Sequence, residues 1–319
     1  MSALHTRFRD TVLAGLSAAA ILLSAGAALA QDGEGWPRAF ENADGSVTEI
    51  PVQPQRILST AVTITGTLLA VDAPVVASGS AGNGTFFAQW AALADERRVE
   101  NVWPAGGVDI EAVYAVEPDL IIVSTSGMDS ALDQIEAFRA VAPTIVVDYG
   151  GQTWQDLAVE IGEAAGIEGQ VEVAIDAFDA YVDAAREAIT IPEGTANIIS
   201  FNGPGQDNPI ARAGSVHGQL LAALGFTLED PNPEWHAQPN LREDFVWAPY
   251  ENLVALTAET TFLLRVDDSG VAPFVNEPTL ANLPSVQAGQ VYGLGVNSFR
   301  IDYFSGREIV DGIVEEFGH

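Results

Sequence analysis

Between Gly169 and Pro192 no glycine or proline interrupts the chain, and Val171, Ile175, Phe178, Val182, Ala185 and Ile189 recur at steps of four and three residues. That spacing lays one apolar stripe along an α-helix. The helix is expected over residues 168–190. At 1.5 Å per residue it reaches on the order of 30 Å, about the width of a small domain. An ordinary surface helix would carry the same stripe. What constrains the fold is its position: on both sides the chain alternates strand and helix patterns, so the helix reads as a rigid spacer joining two lobes.

Ahead of the helix, the runs 56–60, 74–78, 119–124 and 144–148 are continuously apolar rather than alternating, as expected of parallel strands covered on both faces. Helical patterns fill the gaps at 65–71, 87–94, 109–116, 130–140 and 153–165, with Pro118, Pro143 and Gly166 as stops. Beyond the helix, strands are expected at 197–201, 261–266 and 291–294, and helices at 217–224, 250–255, 279–282 and 306–317. The stretch 229–240 is rich in Pro and Asn, carries Trp235 and reads as a long functional loop. These patterns describe an α/β chain with an N-terminal lobe over 36–166, a linking helix over 167–192 and a C-terminal lobe over 193–319.

A weak echo links the lobes. Asp109-Ile110-Glu111-Ala112-Val113 opens a short helix leading to the strand at 119–124, and Pro249-Tyr250-Glu251-Asn252-Leu253 opens one leading to the strand at 261–266. Glu in a first helical turn is favoured by roughly a few tenths of a kcal/mol through the helix dipole, which explains either residue alone. The matched placement points to a symmetric role for Glu111 and Glu251.

The first thirty residues read as an address. His5, Arg7 and Arg9 precede an apolar run over 11–29 that ends in Ala28-Leu29-Ala30 and turns polar at Gln31-Asp32-Gly33-Glu34. This is the pattern of a cleaved secretory signal peptide over 1–30. A membrane anchor is the competing reading, but Gly15, Ser17, Ser24 and Gly26 dilute the run, and the small-residue site fits cleavage better. With no cysteine, no lipid can be attached to a cysteine at the mature N-terminus. The expected location is the periplasm of a two-membrane bacterium.

Charge narrows the partners. Against 44 Asp+Glu stand 13 Lys+Arg, all of them arginine, for a formal net charge of -31. Nucleic acid and anionic lipid surfaces require clusters of Lys and Arg, so neither is an expected partner. The absence of cysteine removes disulfide frameworks, thiolate metal sites and cysteine nucleophiles. Only His217, His236 and His319 remain after the leader, without the spacing of a metal site, so no direct metal ligation is expected. The glycine clusters at 79–84 and 203–205 match neither a dinucleotide fingerprint nor a phosphate loop. Ser215 and His217 stand at i and i+2 and do not face each other on a helix; His217 is expected to be a polar helix-start residue. No catalytic constellation emerges, no enzyme activity is expected, and the chain is expected to act as a monomer.

Several arginines stand beside aromatic residues. Arg242 lies five residues before Trp247, Arg300 follows Phe299 and precedes Tyr303, and Arg212 sits in Ile210-Ala211-Arg212-Ala213-Gly214. All three fall in segments between strands and helices, where α/β folds place ligand contacts. Arginine suits a delocalised anion with aromatic faces, because its planar, permanently charged fork also stacks on rings. The alternative for each is pairing with a surface carboxylate.

Pro54-Gln55-Arg56-Ile57-Leu58-Ser59 and the residues after it to Gly79 carry a resemblance, as do Pro118-Asp119-Leu120-Ile121, Gly218-Gln219-Leu220-Leu221 and Leu224-Gly225-Phe226-Thr227-Leu228. So do Glu251-Asn252-Leu253, Leu283-Pro284-Ser285-Val286-Gln287, Gln290-Val291-Tyr292-Gly293 and Phe299-Arg300-Ile301-Asp302-Tyr303. In order from about Trp36 to the C-terminus, the chain resembles the periplasmic ferric-enterobactin (catecholate siderophore) binding proteins that serve ABC importers. The resemblance implies two Rossmann-like lobes joined by a single long helix, with the ligand cleft between them. It also implies that iron arrives as a chelate whose catecholate oxygens already fill its coordination sphere, so that the protein needs no cofactor and no metal ligand. Arg242 and Arg300 fall on basic positions of the family pattern; Arg212, Trp247, Phe299 and Tyr303 complete the expected ligand contacts. The loop 79–87 is shorter than the family's and contains no Arg, where the pattern implies a basic contact. Glu111 and Glu251 match the positions at which such receptors meet arginines of an inner-membrane permease. The same scaffold with a hydroxamate siderophore, haem or a corrinoid is the alternative; a chelatase-like enzyme on this frame is the more distant one.

Overall fold

The computed structural model describes residues 35–319 except 126, 241 and 242. The expected signal peptide, 1–30, and Arg242 therefore lie outside the described residues.

The N-terminal lobe opens with an unexpected hairpin, β1 (Arg38–Glu41) and β2 (Val47–Ile50). It is tied to the lobe by Ala43 N–H donating to Val146 O at 2.8 Å and Thr48 Oγ1 to Thr144 O at 2.7 Å. Five strands follow: β3 (Ile57–Ser59), β4 (Val75–Ser80), β5 (Glu100–Pro104), β6 (Leu120–Ser124) and β7 (Thr144–Val147). They form a parallel sheet in the order β5-β4-β3-β6-β7. In such a doubly wound sheet a crevice opens at the carboxyl ends of the strands where the order reverses, here beside β3. β3, β6 and β7 are buried along their whole length, as their uninterrupted apolar runs require. β5 escaped the sequence reading because it is an edge strand, mostly solvent-facing and ending in Pro104, a residue that only an edge tolerates. The helices are α1 (Val62–Ala70), α2 (Ala88–Glu96), α3 (Ile110–Val116), α4 (Ile135–Arg139) and α5 (Trp154–Ala165). The single helix expected over 130–140 is instead a 3-10 turn, Leu132–Gln134, running into the short α4.

The spacer helix α6 spans Glu168–Ala188. Val171, Phe178, Val182, Ala185 and Ile189 are buried as the stripe predicts, with Ala174 also buried and Ile175 only partly so. One hydrophobic cluster runs through α6 from Leu120 and Ile145 in the first lobe to Phe262 and Phe317 in the second. Phe178 sits at its centre, edge-on to Trp154 with ring centroids 5.2 Å apart. Burial of such a ring is worth about 3–5 kcal/mol against truncation to Ala.

The C-terminal lobe holds β8 (Ala196–Ile199), β9 (Asp207–Ala211), β10 (Phe245–Pro249), β11 (Thr260–Leu263) and β12 (Val291–Gly293) in the order β10-β9-β8-β11-β12. β8, β11 and β12 are parallel, but β9 runs antiparallel to both its neighbours. The second half is thus a mixed sheet, and the two strands absent from the sequence reading are those on its antiparallel side. Asn and Pro more often mark turns, yet Asn208 and Pro209 occupy a ladder here. The remaining helices are α7 (Val216–Ala223), α8 (Ala272–Val275), α9 (Pro284–Ala288) and α10 (Tyr303–Phe317). The helices expected at 250–255 and 279–282 are 3-10 turns, Tyr250–Ala255 and Pro278–Leu280.

The echo between the lobes extends to their hydrogen bonds. Just before β6, the Asp119 carboxylate accepts from the Gln55 and Arg56 N–H groups, both at 2.8 Å, at the entry to β3. Just before β11, the Glu259 carboxylate accepts from Thr195 N–H at 2.8 Å, at the entry to β8. Each acid clamps the start of its lobe's central strand. α10 then crosses back onto α1 and α2 of the first lobe. Its N-cap, Asp302, is buried and accepts from Phe304 and Ser305 N–H, while its other oxygen accepts from Gln89 Nε2 of α2 at 3.1 Å. Gly66 of α1 leaves room for this approach: a Cβ there would lie 2.6 Å from Asp302 Oδ2.

Candidate functional site

The loops that follow β3, β6 and β7 are wired to one another. Asp129, after β6, accepts a 2.6 Å hydrogen bond from the Tyr149 hydroxyl, after β7, and a 3.0 Å bond from Thr63 N–H at the start of α1. α1 needs this help because its own N-cap, Ala61, has no side chain able to cap it. Gly127 has φ +97°, and a Cβ on it would overlap the Tyr149 hydroxyl. Burial, and then the negative charge of Asp129, push the Tyr149 hydroxyl above its usual range. Tyr149 therefore stays a neutral phenol, with its ring fixed at the carboxyl edge of the sheet.

The facing wall comes from the loops after β11 and β12. The Arg300 guanidinium carbon lies 5.5 Å from the Phe299 ring centroid and 5.6 Å from that of Tyr149, so Arg300 reaches across to the other lobe. Arg265 approaches the same Phe299 ring at 5.4 Å. Phe299 in turn stacks on Phe245 of β10, with centroids 5.7 Å apart and planes 8° from parallel. Arg265 is held with φ +65°, a left-handed conformation that costs a non-glycine residue about 1–2 kcal/mol. Its N–H donates to Ser298 Oγ at 2.9 Å and its guanidinium to Asn202 Oδ1 at 2.6 Å. Two guanidinium groups sharing one aromatic ring concentrate positive charge, and such a wall gains from an anion placed against it.

His217 supports this wall from behind, which corrects its expected place as a polar helix-start residue. Ser215 takes that role, capping α7 through Gly218 N–H at 3.1 Å. His217 is buried, packs against Phe245 at 5.3 Å and donates from Nε2 to Ser298 O at 2.8 Å. Burial pushes its pKa down to about 4, so the ring is neutral. Its Nδ1 is buried without a partner among the described residues. The lobes also face each other where Gly150, Gly151 and Gln152 meet Gly214, Ser215 and Asp244 around a common cavity.

The other expected contacts are distributed. Arg212 pairs with Glu243 at 3.4 Å, and its N–H donates to Asp244 O at 3.0 Å. Trp247 lies on β10, its N–H donating to His236 Nδ1 at 3.2 Å and its indole N–H buried without a partner among the described residues. Tyr303 opens α10 and packs edge-on against Trp154 at 5.4 Å, next to Phe178, placing it at the joint with the spacer helix. The loop 229–240 is ordered by its own bonds: the 3-10 turn Pro233–Trp235, and His236 Nε2 donating to Asn240 O at 2.8 Å. Glu111 and Glu251 are both exposed in the first turns of their helices.

Sequence reasoning missed Arg265, Tyr149 and Asp129. Arg265 lay inside the strand expected over 261–266, but β11 ends at Leu263. A charge closing a fully apolar run was the available signal. For Tyr149 it was an aromatic residue followed by Gly150-Gly151 just past a strand. Nothing local marked Asp129, whose partners are remote in sequence. Among the described residues, no group of three or more His, Cys, Asp or Glu could hold a metal ion, and no helix is long and apolar enough to cross a membrane.

The chain is 38% identical over 300 residues to the ferric enterobactin-binding periplasmic protein FepB of Escherichia coli, covering 91% of this chain and 93% of that one. The crystal structure of holo-ViuP superposes with a TM-score of 0.86 at 53% identity, covering 89% of this chain and 96% of that one. The periplasmic catecholate-siderophore binding protein VctP of Vibrio cholerae shares the fold, with a TM-score of 0.59 at 17% identity over 88% of this chain and 98% of that one. Residues 57–297 match the periplasmic binding protein family. With that match, the two lobes on one spacer helix and the cleft between them, the chain belongs to the periplasmic binding protein family.

Proposed function

We propose that this protein captures a ferric catecholate siderophore of the enterobactin type between its lobes and delivers it to an inner-membrane ABC permease. The observation that carries this reading is Arg300, which touches an aromatic ring of each lobe, Tyr149 and Phe299, beside a second guanidinium, Arg265. A ferric catecholate is anionic and built of aromatic rings, and a cationic, aromatic wall meets both properties at once. Arg242, Arg212, Trp247, Phe299 and Tyr303 are the further residues we assign to chelate binding, from the resemblance of the sequence to catecholate receptors. Iron is cargo, held by the chelate, and the protein contributes neither metal ligands nor a resident cofactor. The chain acts as a monomeric receptor rather than an enzyme, and residues 1–30 are removed on export to the periplasm. Glu111 and Glu251, one on each lobe, meet cationic groups of the permease.

Titration of tryptophan fluorescence tests the capture step, using ferric enterobactin, a linear ferric catecholate, a ferric hydroxamate, haem and a corrinoid. Saturable quenching by the catecholates is expected. No saturable quenching by any ferric catecholate would sink the proposal. Charge reversal at Glu111 and Glu251 together should abolish uptake while leaving chelate affinity intact; unchanged uptake would remove the docking role.

A further inference from the structure

We infer that the permease-docking face carries an exposed apolar side chain beside each acidic one, Tyr114 next to Glu111 and Val254 next to Glu251, and that these seat in apolar recesses of the permease. This rests on the docking role proposed above and extends it.

The observation is a repeat in exposure. Residues 111–118 and 251–258 follow the same order of exposed, intermediate and buried positions. In α3, Val113 and Val116 are buried, while Glu111 and Tyr114 face outward. Around the 3-10 turn, Leu253 and Leu256 are buried, while Glu251 and Val254 face outward. Tyr114 is 58% exposed and Val254 54%. Each follows its Glu by three residues, which puts the two side chains on one side of an α-helix and eclipses them in a 3-10 helix. The two helices hold equivalent places: α3 leads into β6, which pairs with the central strand β3, and the turn leads into β11, which pairs with β8. Neither Tyr114 nor Val254 joins the clusters that bury its neighbours, so core packing does not account for either. One exposed apolar residue is ordinary on any surface. The same residue class at the same offset from the same acid, in both lobes, calls for one partner that reads both.

Charge complementarity names the partner's chemistry. A protein at -31 presenting paired carboxylates selects a partner with two cationic groups. An apolar side chain packed beside each carboxylate excludes water from the ion pair and strengthens it. The two anchors differ in size, Tyr against Val, so the half-sites are not interchangeable and docking has one orientation. Carboxylates at such a rim govern the rate of encounter, whereas packed apolar anchors govern how long the complex lasts.

The test is uptake of radio-iron as ferric enterobactin by the source bacterium, with its chromosomal copy replaced by variants, and chelate affinity measured on each purified variant. Tyr114→Ser and Val254→Ser are each expected to lower uptake about tenfold at unchanged affinity and thermal stability, while Tyr114→Phe and Val254→Ile retain it. The exchange Tyr114→Val with Val254→Tyr is expected to fail as the serine variants do. Wild-type uptake by the serine variants, alongside loss of uptake on charge reversal at Glu111 and Glu251, overturns the apolar anchors and leaves acidic docking standing. Wild-type uptake by all of these variants removes the docking reading itself. A fall in chelate affinity or stability that accounts for the uptake loss also overturns the inference.

Discussion

Arg300→Ala isolates the contribution of a side chain that touches both walls of the cleft. Its guanidinium lies over two rings, at 5.5 and 5.6 Å. What the chelate adds is its negative charge, in a place partly removed from water. A desolvated cation–aromatic contact is worth about 2 kcal/mol and an exposed one about 0.5–1. Arg300 is half-buried, so loss of the side chain should weaken binding by about 1–2 kcal/mol, or about 5- to 30-fold in Kd. Fluorescence titration with ferric enterobactin at low and high salt measures this. Arg300→Lys keeps the charge without the planar fork and should recover part of the affinity and the salt dependence, whereas Arg300→Ala should flatten the salt dependence. Binding by Arg300→Ala within twofold of wild type at both salt concentrations would refute the assignment.

Three further outcomes follow from packing and protonation. Gly127→Ala places a Cβ on the Tyr149 hydroxyl at a positive φ; it should cost about 1–3 kcal/mol of stability and reduce chelate affinity, and unchanged melting and affinity would show that Tyr149 is not locked in place. Gly66→Ala brings a Cβ to 2.6 Å from Asp302 Oδ2 and 2.9 Å from Trp90 Nε1; lifting α10 off α1 should lower stability by about 1–3 kcal/mol, and an unaltered melting temperature would disprove that close approach. His217 has a folded pKa near 4, depressed from 6.5, so the unfolded chain takes the proton first. Its contribution is present above pH 6.5 and lost as pH falls towards 4, by about 3 kcal/mol in all. Denaturant stability of the wild type should therefore fall more steeply over that interval than that of His217→Gln, and parallel curves would refute a buried neutral ring.

The net charge of -31 and an anionic ligand are compatible because fields are local. At ordinary salt, screening confines a charge's influence to about 8–10 Å. Arg139 and Arg186 are neutralised by nearby carboxylates, whereas Arg265 and Arg300 lie on aromatic faces at the cleft. Burial of aromatic rings beside these guanidiniums also lowers the local polarity, which strengthens their attraction for an anion.

The spacer helix and the buried strands were legible because their cause is local. A stripe at steps of three and four and an unbroken apolar run of five residues each admit one burial pattern, and α6, β3, β6 and β7 followed it. The mostly exposed strand β5 and the antiparallel strands β9 and β10 were not legible, since they depend on neighbours supplied from elsewhere in the chain. The same division separates the parts of the site. Arg300 with Phe299, and the pair Glu111 and Glu251, could be named from adjacency and from an echo within the sequence. Only the folded chain sets Tyr149 against Arg300, gives α1 its cap from Asp129, turns Arg265 left-handed onto Phe299 and buries His217 behind them. Short-range periodicity specifies which residues leave water; which distant loops then meet is decided by strand order and by the crossing of α10 between lobes, interactions that no window of adjacent residues contains.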